Sequence, residues 1–232
     1  HEGLLAGAPR IRSRRLPARA WAESWKRHFR PRLFAGRVLV RPSWSRRRPR
    51  PGQVEVVLDP GLSFGTGHHP TTAFCLEQLV RAVDRASERR LSFLDVGTGS
   101  GILAIAAVRL GCEPVEAFDF DPEAVRVAKE NAQANGVALR VRRFDARRLA
   151  LRPRRRFEVV AANLQADLLL DVADRLKAQV RPGGRLLLAG ILREEFPVVL
   201  AAYAEGGWRL VARRSENEWT SGAFVRPPAG PA

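Results

Sequence analysis

The chain has 232 residues, 45% of them hydrophobic and 28% charged, which is typical of a globular protein with one full domain and an extension. The positive charge is almost entirely arginine, and the formal net charge is +16, so the surface can contact the phosphates of RNA, although a genome that favours arginine codons gives the same composition. Apolar stretches fall short of the roughly 20 residues of a membrane-spanning helix, and no secretory signal opens the chain, so we expect a cytoplasmic protein with no membrane partner.

Residues 1–52 are predicted to form an N-terminal arm, a helix and a strand ahead of the main domain. Trp21 and Trp25 recur at the spacing of one helical face, and Pro31 is expected to end that helix. A strand over 37–41 follows. The sequence contains no methionine, so we expect the natural polypeptide to be processed or longer than this chain.

Residues 53–232 are predicted to form an α/β domain. Strands are expected over 54–58, 91–96, 115–119, 139–144, 158–162, 185–189, 208–212 and 218–225, and helices over 72–86, 102–110, 122–135, 166–180 and 193–205. A turn over 182–184 is expected to precede its strand. This alternation favours a Rossmann-like sheet of seven strands, mostly parallel, with an antiparallel last strand and helices on both faces.

A glycine loop follows the first strand of this α/β unit. It contains Gly97, Gly99 and Gly101, with Thr98 between the first two. Glycines allow a tight turn and a close approach of the backbone to a ligand. The Gly-x-Gly-x-Gly spacing differs from the Gly-x-Gly-x-x-Gly of dinucleotide sites, which favours S-adenosylmethionine (AdoMet). Asp95, just before the loop, is predicted to meet the cationic end of the donor's amino-acid tail.

Acidic residues at the ends of the next two strands are predicted to hold the nucleoside. Asp119 lies 22 residues after Gly97, where a carboxylate can accept hydrogen bonds from a ribose diol. Phe120 is assigned to the same site. Asp121 fits the N-cap of the helix that begins at Pro122. Asp145, after the following strand, is predicted to contact adenine, with a solvated loop acid as the alternative.

Metal and thiol chemistry are not indicated. Cys75 and Cys112 are too few for a disulfide framework and are predicted to be buried thiols. His68 and His69 are adjacent and lack a third ligand at a suitable spacing, so we predict no metal site. A role for these histidines in loop packing is expected, and a proton-transfer role for His69 stays open.

Two further stretches narrow the family. They are Phe64-Gly65-Thr66-Gly67-His68-His69-Pro70-Thr71-Thr72 and Ala161-Ala162-Asn163-Leu164-Gln165-Ala166-Asp167. Together with the glycine loop they resemble the PrmA family, the methyltransferases of ribosomal protein L11. Shorter matching stretches surround Trp44, Pro182, Ile191 and Trp219, so the resemblance covers about residues 20–226.

The resemblance implies an AdoMet-dependent transfer of methyl groups to lysine side chains, to the N-terminal amine, or to both, of this large-subunit ribosomal protein. It implies AdoMet contacts at Thr72, Gly97, Asp119 and Asn163. It also implies that Phe64, Gly65 and Thr66 close over the donor. From the residues themselves, the carbonyl oxygen of Asn163 can accept a hydrogen bond from the incoming amine, and the backbone carbonyl of Leu164 can assist.

One departure from the family and two alternatives stay open. Family members carry an N-terminal substrate-recognition domain, and about 20 residues precede Trp21 here, so the chain is expected to be a fragment or a relative with another protein substrate. A nucleic-acid methyltransferase is the first alternative, but Asn163 is followed by neither the prolines nor the aromatic residue of base-flipping enzymes. The second alternative is a non-catalytic binding module that has the fold of AdoMet-dependent enzymes.

Overall fold

A computed structural model of the chain describes residues 29–59, 69–87 and 89–228. Ten strands are found in this part of the chain: β1 Arg32–Phe34, β2 Val38–Arg41, β3 Val54–Val57, β4 Phe93–Val96, β5 Val115–Asp119, β6 Arg140–Arg143, β7 Phe157–Asn163, β8 Val180–Leu192, β9 Arg209–Glu216 and β10 Trp219–Val225. The α-helices are α1 Pro70–Arg85, α2 Ile102–Arg109, α3 Pro122–Ala134, α4 Ala166–Asp171, α5 Ala173–Gln179 and α6 Phe196–Ala204. The predicted helix with Trp21 and Trp25 lies outside the described residues.

The main sheet has seven strands in the order β6-β5-β4-β7-β8-β10-β9. Strands β4 to β8 are parallel to their neighbours, and β10 is inserted antiparallel between β8 and β9. The predicted Rossmann-like architecture with an antiparallel last strand is confirmed. Along the chain, the strands after β4 are first added on one side of it, as β5 and β6, and then on the other side, as β7 and β8. The carboxyl ends of β4, β5 and β7 therefore lie side by side at the point where open α/β sheets bind their ligands.

Side chains alternate between two apolar layers along the central strands. Phe93 faces one layer and Leu94 the other, as the period of two along a strand requires. Helices α1 and α2, and beside them α3, cover the first face, whereas α4, α5 and α6 cover the second. Both faces of the sheet are therefore shielded from water, which is why its strands are almost continuously apolar.

Two elements differ from the sequence prediction for local reasons. The predicted helix over 166–180 is two short helices, α4 and α5, that meet at Val172. The predicted turn over 182–184 lies inside the long strand β8, where Val180 pairs with Phe157 but Arg185 pairs with Val159. The extra residues of β8 bulge out of the ladder, so the proline and glycines interrupt the pairing without ending the strand.

A small second sheet covers the outside of the first helix layer. Strand β1 is antiparallel to β2, and β2 is parallel to β3. The sequence did not predict β1. Phe34, Val38 and Val56 pack into the same apolar cluster as residues of α1 and α2. The proposed domain boundary at residue 52 falls in the turn before β3, so this small sheet draws strands from both proposed segments.

The buried amide of Asn135 joins this small sheet to the main domain. Its Oδ1 accepts a hydrogen bond from the backbone nitrogen of Val57 at 2.7 Å, and its Nδ2 donates to the carbonyl of Val57 at 2.7 Å. Nδ2 also donates to the carbonyl of Asn131 in α3 at 2.8 Å. The edge of β3 is thus paired with a side chain, as if a further strand lay there.

No helix in the described ranges combines the length and the apolar composition that crossing a bilayer demands.

We predict that Asn135→Ala lowers the free energy of unfolding by about 2–4 kcal/mol, because the polar groups of Val57 lose their buried partner. Urea unfolding monitored by circular dichroism measures the change. Gln133→Ala, at an exposed position of the same helix, is the matched control and should shift the value by less than about 0.5 kcal/mol. Equal effects of the two variants would contradict the role of Asn135.

Candidate functional site

A cavity of about 390 Å³ opens at the carboxyl ends of the central strands. Its lining comes from the loop after β4, the end of β5, the segment after β7, the late part of β8 and the start of β10. The lining residues are Gly97, Gly99, Asp119, Asn163, Leu164, Gln165, Leu168, Gly190 and Trp219. The lining is mainly apolar, with a few polar groups that converge on the space, as small-molecule sites usually show.

The glycine loop has a backbone conformation that side chains resist. Gly97 and Gly99 have φ angles of 71° and 54°. A Cβ added to Gly97 would lie 2.4 Å from Cδ2 of Leu164, so a larger residue would displace the leucine as well as strain the loop. The backbone nitrogens of Gly97 and Thr98 donate to the carbonyl of Phe118 at 3.0 Å each. The loop is therefore fixed against β5.

Two carboxylates hold the loop from opposite sides. Oδ2 of Asp119 accepts a hydrogen bond from the backbone nitrogen of Gly99 at 2.9 Å, and its Oδ1 accepts one from the nitrogen of Asp121 at 3.0 Å. Oδ2 of Asp95 accepts from the hydroxyl of Thr98 at 2.7 Å and from the backbone nitrogen of Ala104 at 3.2 Å. Each carboxylate oxygen can accept more than one bond, so Asp119 keeps capacity for a ligand.

Asp95 is fully buried, with 1% of its surface exposed. Burial raises the pKa of its carboxyl group to about 7, against the hydrogen bonds from Thr98 and Ala104, and the charge of Asp119 raises it further. The carboxyl group does not line the cavity. Its observed contacts fix the loop and the first turn of α2, and the predicted contact with the tail of the donor stays a prediction.

Asn163 and Leu164 meet Gly190 beside the cavity. Oδ1 of Asn163 is buried and has no hydrogen-bond donor in the described part of the chain. A Cβ on Gly190 would lie 2.7 Å from the carbonyl oxygen of Leu164 and 3.0 Å from Oδ1 of Asn163. Glycine at this position thus leaves room for two acceptor oxygens at one point, and an unsatisfied buried acceptor indicates a partner from outside the described residues.

Trp219 lines the cavity, and His69 packs against it. The rings pack edge to face with centroids 5.0 Å apart, and Nδ1 of His69 lies 2.6 Å from Oγ1 of Thr71. Burial lowers the pKa of His69, and the charges of Glu218 and Glu216 oppose this shift. These contacts agree with the predicted packing role. Among the described residues, no group of three acidic, histidine or cysteine side chains is arranged to hold a metal ion.

Four other predicted site residues surround the cavity without lining it. Thr72 is buried in the first turn of α1, and its hydroxyl has no partner in the described ranges. Gly101 begins α2, where a Cβ would lie 3.2 Å from that of Ala128 in α3, so this glycine allows the two helices to pack closely. Phe120 is 65% exposed beside Asp119, under the guanidinium of Arg143.

Asp145 accepts a hydrogen bond from the backbone nitrogen of Arg147 at 2.9 Å and caps a short 3₁₀ turn. The contacts that the sequence predicts for these residues with the donor stay predictions. Phe64, Gly65 and Thr66 lie outside the described residues.

Sequence reasoning about the site missed four lining residues: Gln165, Leu168, Gly190 and Trp219. Gly190 and Trp219 belong to short stretches that match the family, and this match could have indicated that they lie at the site. Leu168 follows Leu164 by one helical turn, and nothing in its sequence context separates it from a core leucine. Its position depends on where α4 begins.

The residues present fit AdoMet. The glycine loop leaves the cavity side free of side chains, Asp119 offers a carboxylate at the end of β5, and two acceptor oxygens converge at Gly190. A donor of this kind carries hydroxyl groups for the carboxylate and a methyl group that can be directed at a nucleophile held by the acceptor oxygens.

Comparison with known proteins gives the family. The family model described as ribosomal protein L11 methyltransferase (PrmA) matches residues 4–226. The ribosomal protein L11 methyltransferase of Citrifermentans bemidjiense is 44% identical over 209 residues, which are 89% of this chain and 67% of the relative. That of Geobacter sulfurreducens is 46% identical over 200 residues, which are 86% of this chain and 64% of the relative. The chain thus spans about two thirds of the length of these relatives.

Among solved structures, the ribosomal protein L11 methylase of Lactobacillus delbrueckii subsp. bulgaricus superimposes with a TM-score of 0.69 at 32% identity, covering 82% of this chain and 95% of that one. These matches confirm the resemblance drawn from the sequence motifs, and with it AdoMet as the methyl donor. The chain therefore belongs to the PrmA family of ribosomal protein L11 methyltransferases.

Proposed function

We propose that this chain transfers methyl groups from AdoMet to amines of the large-subunit ribosomal protein L11, on lysine side chains, on the N-terminal amine, or on both. The observation that carries the proposal is that Asn163, Leu164 and Gly190, where two acceptor oxygens come together, line the same cavity as the glycine loop and Asp119. Family membership supports the substrate, since the relatives named above are L11 methyltransferases. We place the reaction in the cytoplasm, where ribosomal proteins are made.

The donor side of the site is built from backbone and carboxylate. Asp119 would accept the ribose hydroxyls, and the bare loop at Gly97 and Gly99 would admit the tail of the donor. Asp95 would act through the loop, because its carboxylate bonds Thr98 and the start of α2. Phe120, exposed at the rim, would stack on the adenine, with Asp145 nearby. Thr72 would supply its unpaired hydroxyl to the donor.

The acceptor side must receive a neutral amine. AdoMet supplies a methyl group on a positively charged sulfur, so departure of that sulfur needs no acid. A lysine amine near pKa 10.4 is mostly protonated at neutral pH, and a partly dry cavity favours the uncharged form. Oδ1 of Asn163 and the carbonyl of Leu164 would accept the amine's N–H groups and aim its lone pair at the methyl carbon.

The chemistry therefore depends on alignment. No strong base is required at the amine, because the proton can leave to water before the cavity closes. An aligned in-line displacement gains several kcal/mol from orientation alone. His69 lies behind Trp219 and bonds Thr71, and we assign it the role of packing this wall.

Contact with ribosomal RNA, which the composition leaves open, is a separate proposal. The contacts around the cavity that contains Asp119 and Asn163 give no information on RNA binding.

The substrate is tested by incubating the protein with a ribosomal lysate and labelled AdoMet and identifying the labelled molecule. We expect label in ribosomal protein L11 that is released by protease and retained after ribonuclease treatment. Label in RNA would favour a nucleic-acid methyltransferase. Absence of AdoMet binding by calorimetry would instead favour a module without catalysis.

Asp119→Ala should weaken AdoMet binding by about 1.5–3 kcal/mol, which is the range for hydrogen bonds to a charged group. Calorimetric titration with AdoMet measures the change. Asp121→Ala is the matched control. Oδ1 of Asp121 accepts a hydrogen bond from the backbone nitrogen of Glu123 at 2.9 Å and so caps α3. Loss of this cap should lower the free energy of unfolding and leave the affinity for AdoMet unchanged. An unaltered affinity in Asp119→Ala would remove the ribose assignment.

Asn163→Ala should lower turnover on the order of a hundredfold, because the amine loses an oriented acceptor, and should leave the dissociation constant of AdoMet within a few fold. Single-turnover methylation together with calorimetry separates the two effects. If turnover and donor affinity fell by the same factor, Asn163 would belong to the donor site and not to the amine.

A further inference from the structure

A second cavity, of about 310 Å³, lies at the opposite end of the main sheet from the AdoMet cavity. It is enclosed by the carboxyl end of α1, the residue before β4, the start of β7 and the bulged first half of β8. Its charged lining residues are Arg85, Arg89, Arg181, Arg185 and Glu158. Four arginines thus surround a space that contains one acid.

Glu158 is already engaged and cannot neutralise the remaining arginines. Its Oε2 accepts hydrogen bonds from the backbone nitrogen of Ser92, at 2.8 Å, and from the hydroxyl of the same residue. Its Oε1 accepts one from the guanidinium of Arg181. In the described part of the chain, no carboxylate forms an ion pair with Arg85 or Arg185.

Arg85 and Arg185 line the same cavity and carry like charges. Burial and then the positive charge of Arg85 lower the pKa of Arg185. Arg85 complements the dipole at the end of α1, but Arg185 lies on a strand and has no such compensation. Two guanidinium groups at one cavity, without a carboxylate ion-pair partner among the described residues, can form strong charge-assisted hydrogen bonds with a phosphate.

A second pair of like charges lies at the same end of the sheet. Burial and then the charge of Arg156 lower the pKa of Arg226. Arg156 immediately precedes β7, and Arg226 immediately follows β10, which runs antiparallel, so both lie beyond the amino-terminal ends of the parallel strands. Codon preference would scatter arginines among solvated or ion-paired positions. It does not explain why four arginines line one cavity, nor why partly buried Arg185 and Arg226 each have an exposed arginine as neighbour at the same end of the domain.

We propose that the Arg85–Arg185 cavity binds a backbone phosphate of RNA, and that the amino-terminal end of the sheet is an RNA-binding face. Repeated cationic pairs match the repeated phosphates of a nucleic acid, and the chain's net charge of +16 favours its approach. Phosphate contacts position a protein on RNA without reading its sequence. This face does not overlap the AdoMet cavity, so RNA can remain bound while the opposite end methylates its substrate.

The test uses the full chain and a fluorescent single-stranded RNA of about 20 nucleotides and mixed sequence. We expect Arg85→Gln/Arg185→Gln to weaken binding at least about tenfold and to reduce the slope of log affinity against log salt by about 0.7, the value for one lost phosphate contact on a single strand. Arg46→Gln/Arg47→Gln is the matched control. It removes the same charge from an exposed loop and should weaken binding by less than about threefold.

Arg85→Lys/Arg185→Lys keeps both positive charges, so the slope of log affinity against log salt should stay as in the unaltered protein. This variant shows whether weaker binding in the glutamine variant comes from lost charge at the site or from a damaged fold. Methyl transfer to the isolated protein substrate should stay unchanged in all three variants, which separates this proposal from the proposed activity. An equal loss in the two glutamine variants would show that binding follows net charge alone and would overturn the assignment. Unchanged binding in Arg85→Gln/Arg185→Gln would overturn it as well.

Discussion

The backbone of one short loop, held between two carboxylates, is the constraint on which the site depends. Asp95 fixes the loop to α2 from inside the domain, and Asp119 fixes it from the end of β5. Glycines let the loop pass close to Leu164 with positive φ angles. Because buried polar groups are costly unless paired, these bonds hold the loop in one conformation before any ligand arrives. Because the loop is already ordered, none of the free energy of ligand binding is needed to order it.

A glycine also allows a close approach of polar atoms on the other side of the cavity. Gly190 allows two oxygens to approach one point, and one of them, on Asn163, is left without a donor in the described residues. An unsatisfied acceptor costs stability, and such costs concentrate at functional sites. The two sides of the cavity therefore differ: the hydrogen bonds of the glycine loop are already formed, whereas beside Gly190 one buried acceptor has no donor among the described residues.

The two ends of the sheet have different electrostatic character. The carboxyl ends of the strands present carboxylates, amide oxygens and apolar side chains, whereas the amino ends present pairs of arginines around a separate cavity. A parallel sheet makes such a separation possible, because each strand delivers residues to both ends while keeping its centre buried. The high arginine content is thus partly organised by the fold.

The sequence alone determined the fold class, the glycine loop, the acids at the strand ends and the family, since each of these depends on residues that are close in the chain. The period of two or of 3.6 residues and the cap at Asp121 act locally and could be predicted. Tertiary structure decided that Asp95 bonds the loop from a buried position, that Leu168 and Trp219 line one cavity, and that Arg185 and Arg85 line another. These relations join residues many positions apart, and pairing and packing of the strands, which no local pattern encodes, bring them together.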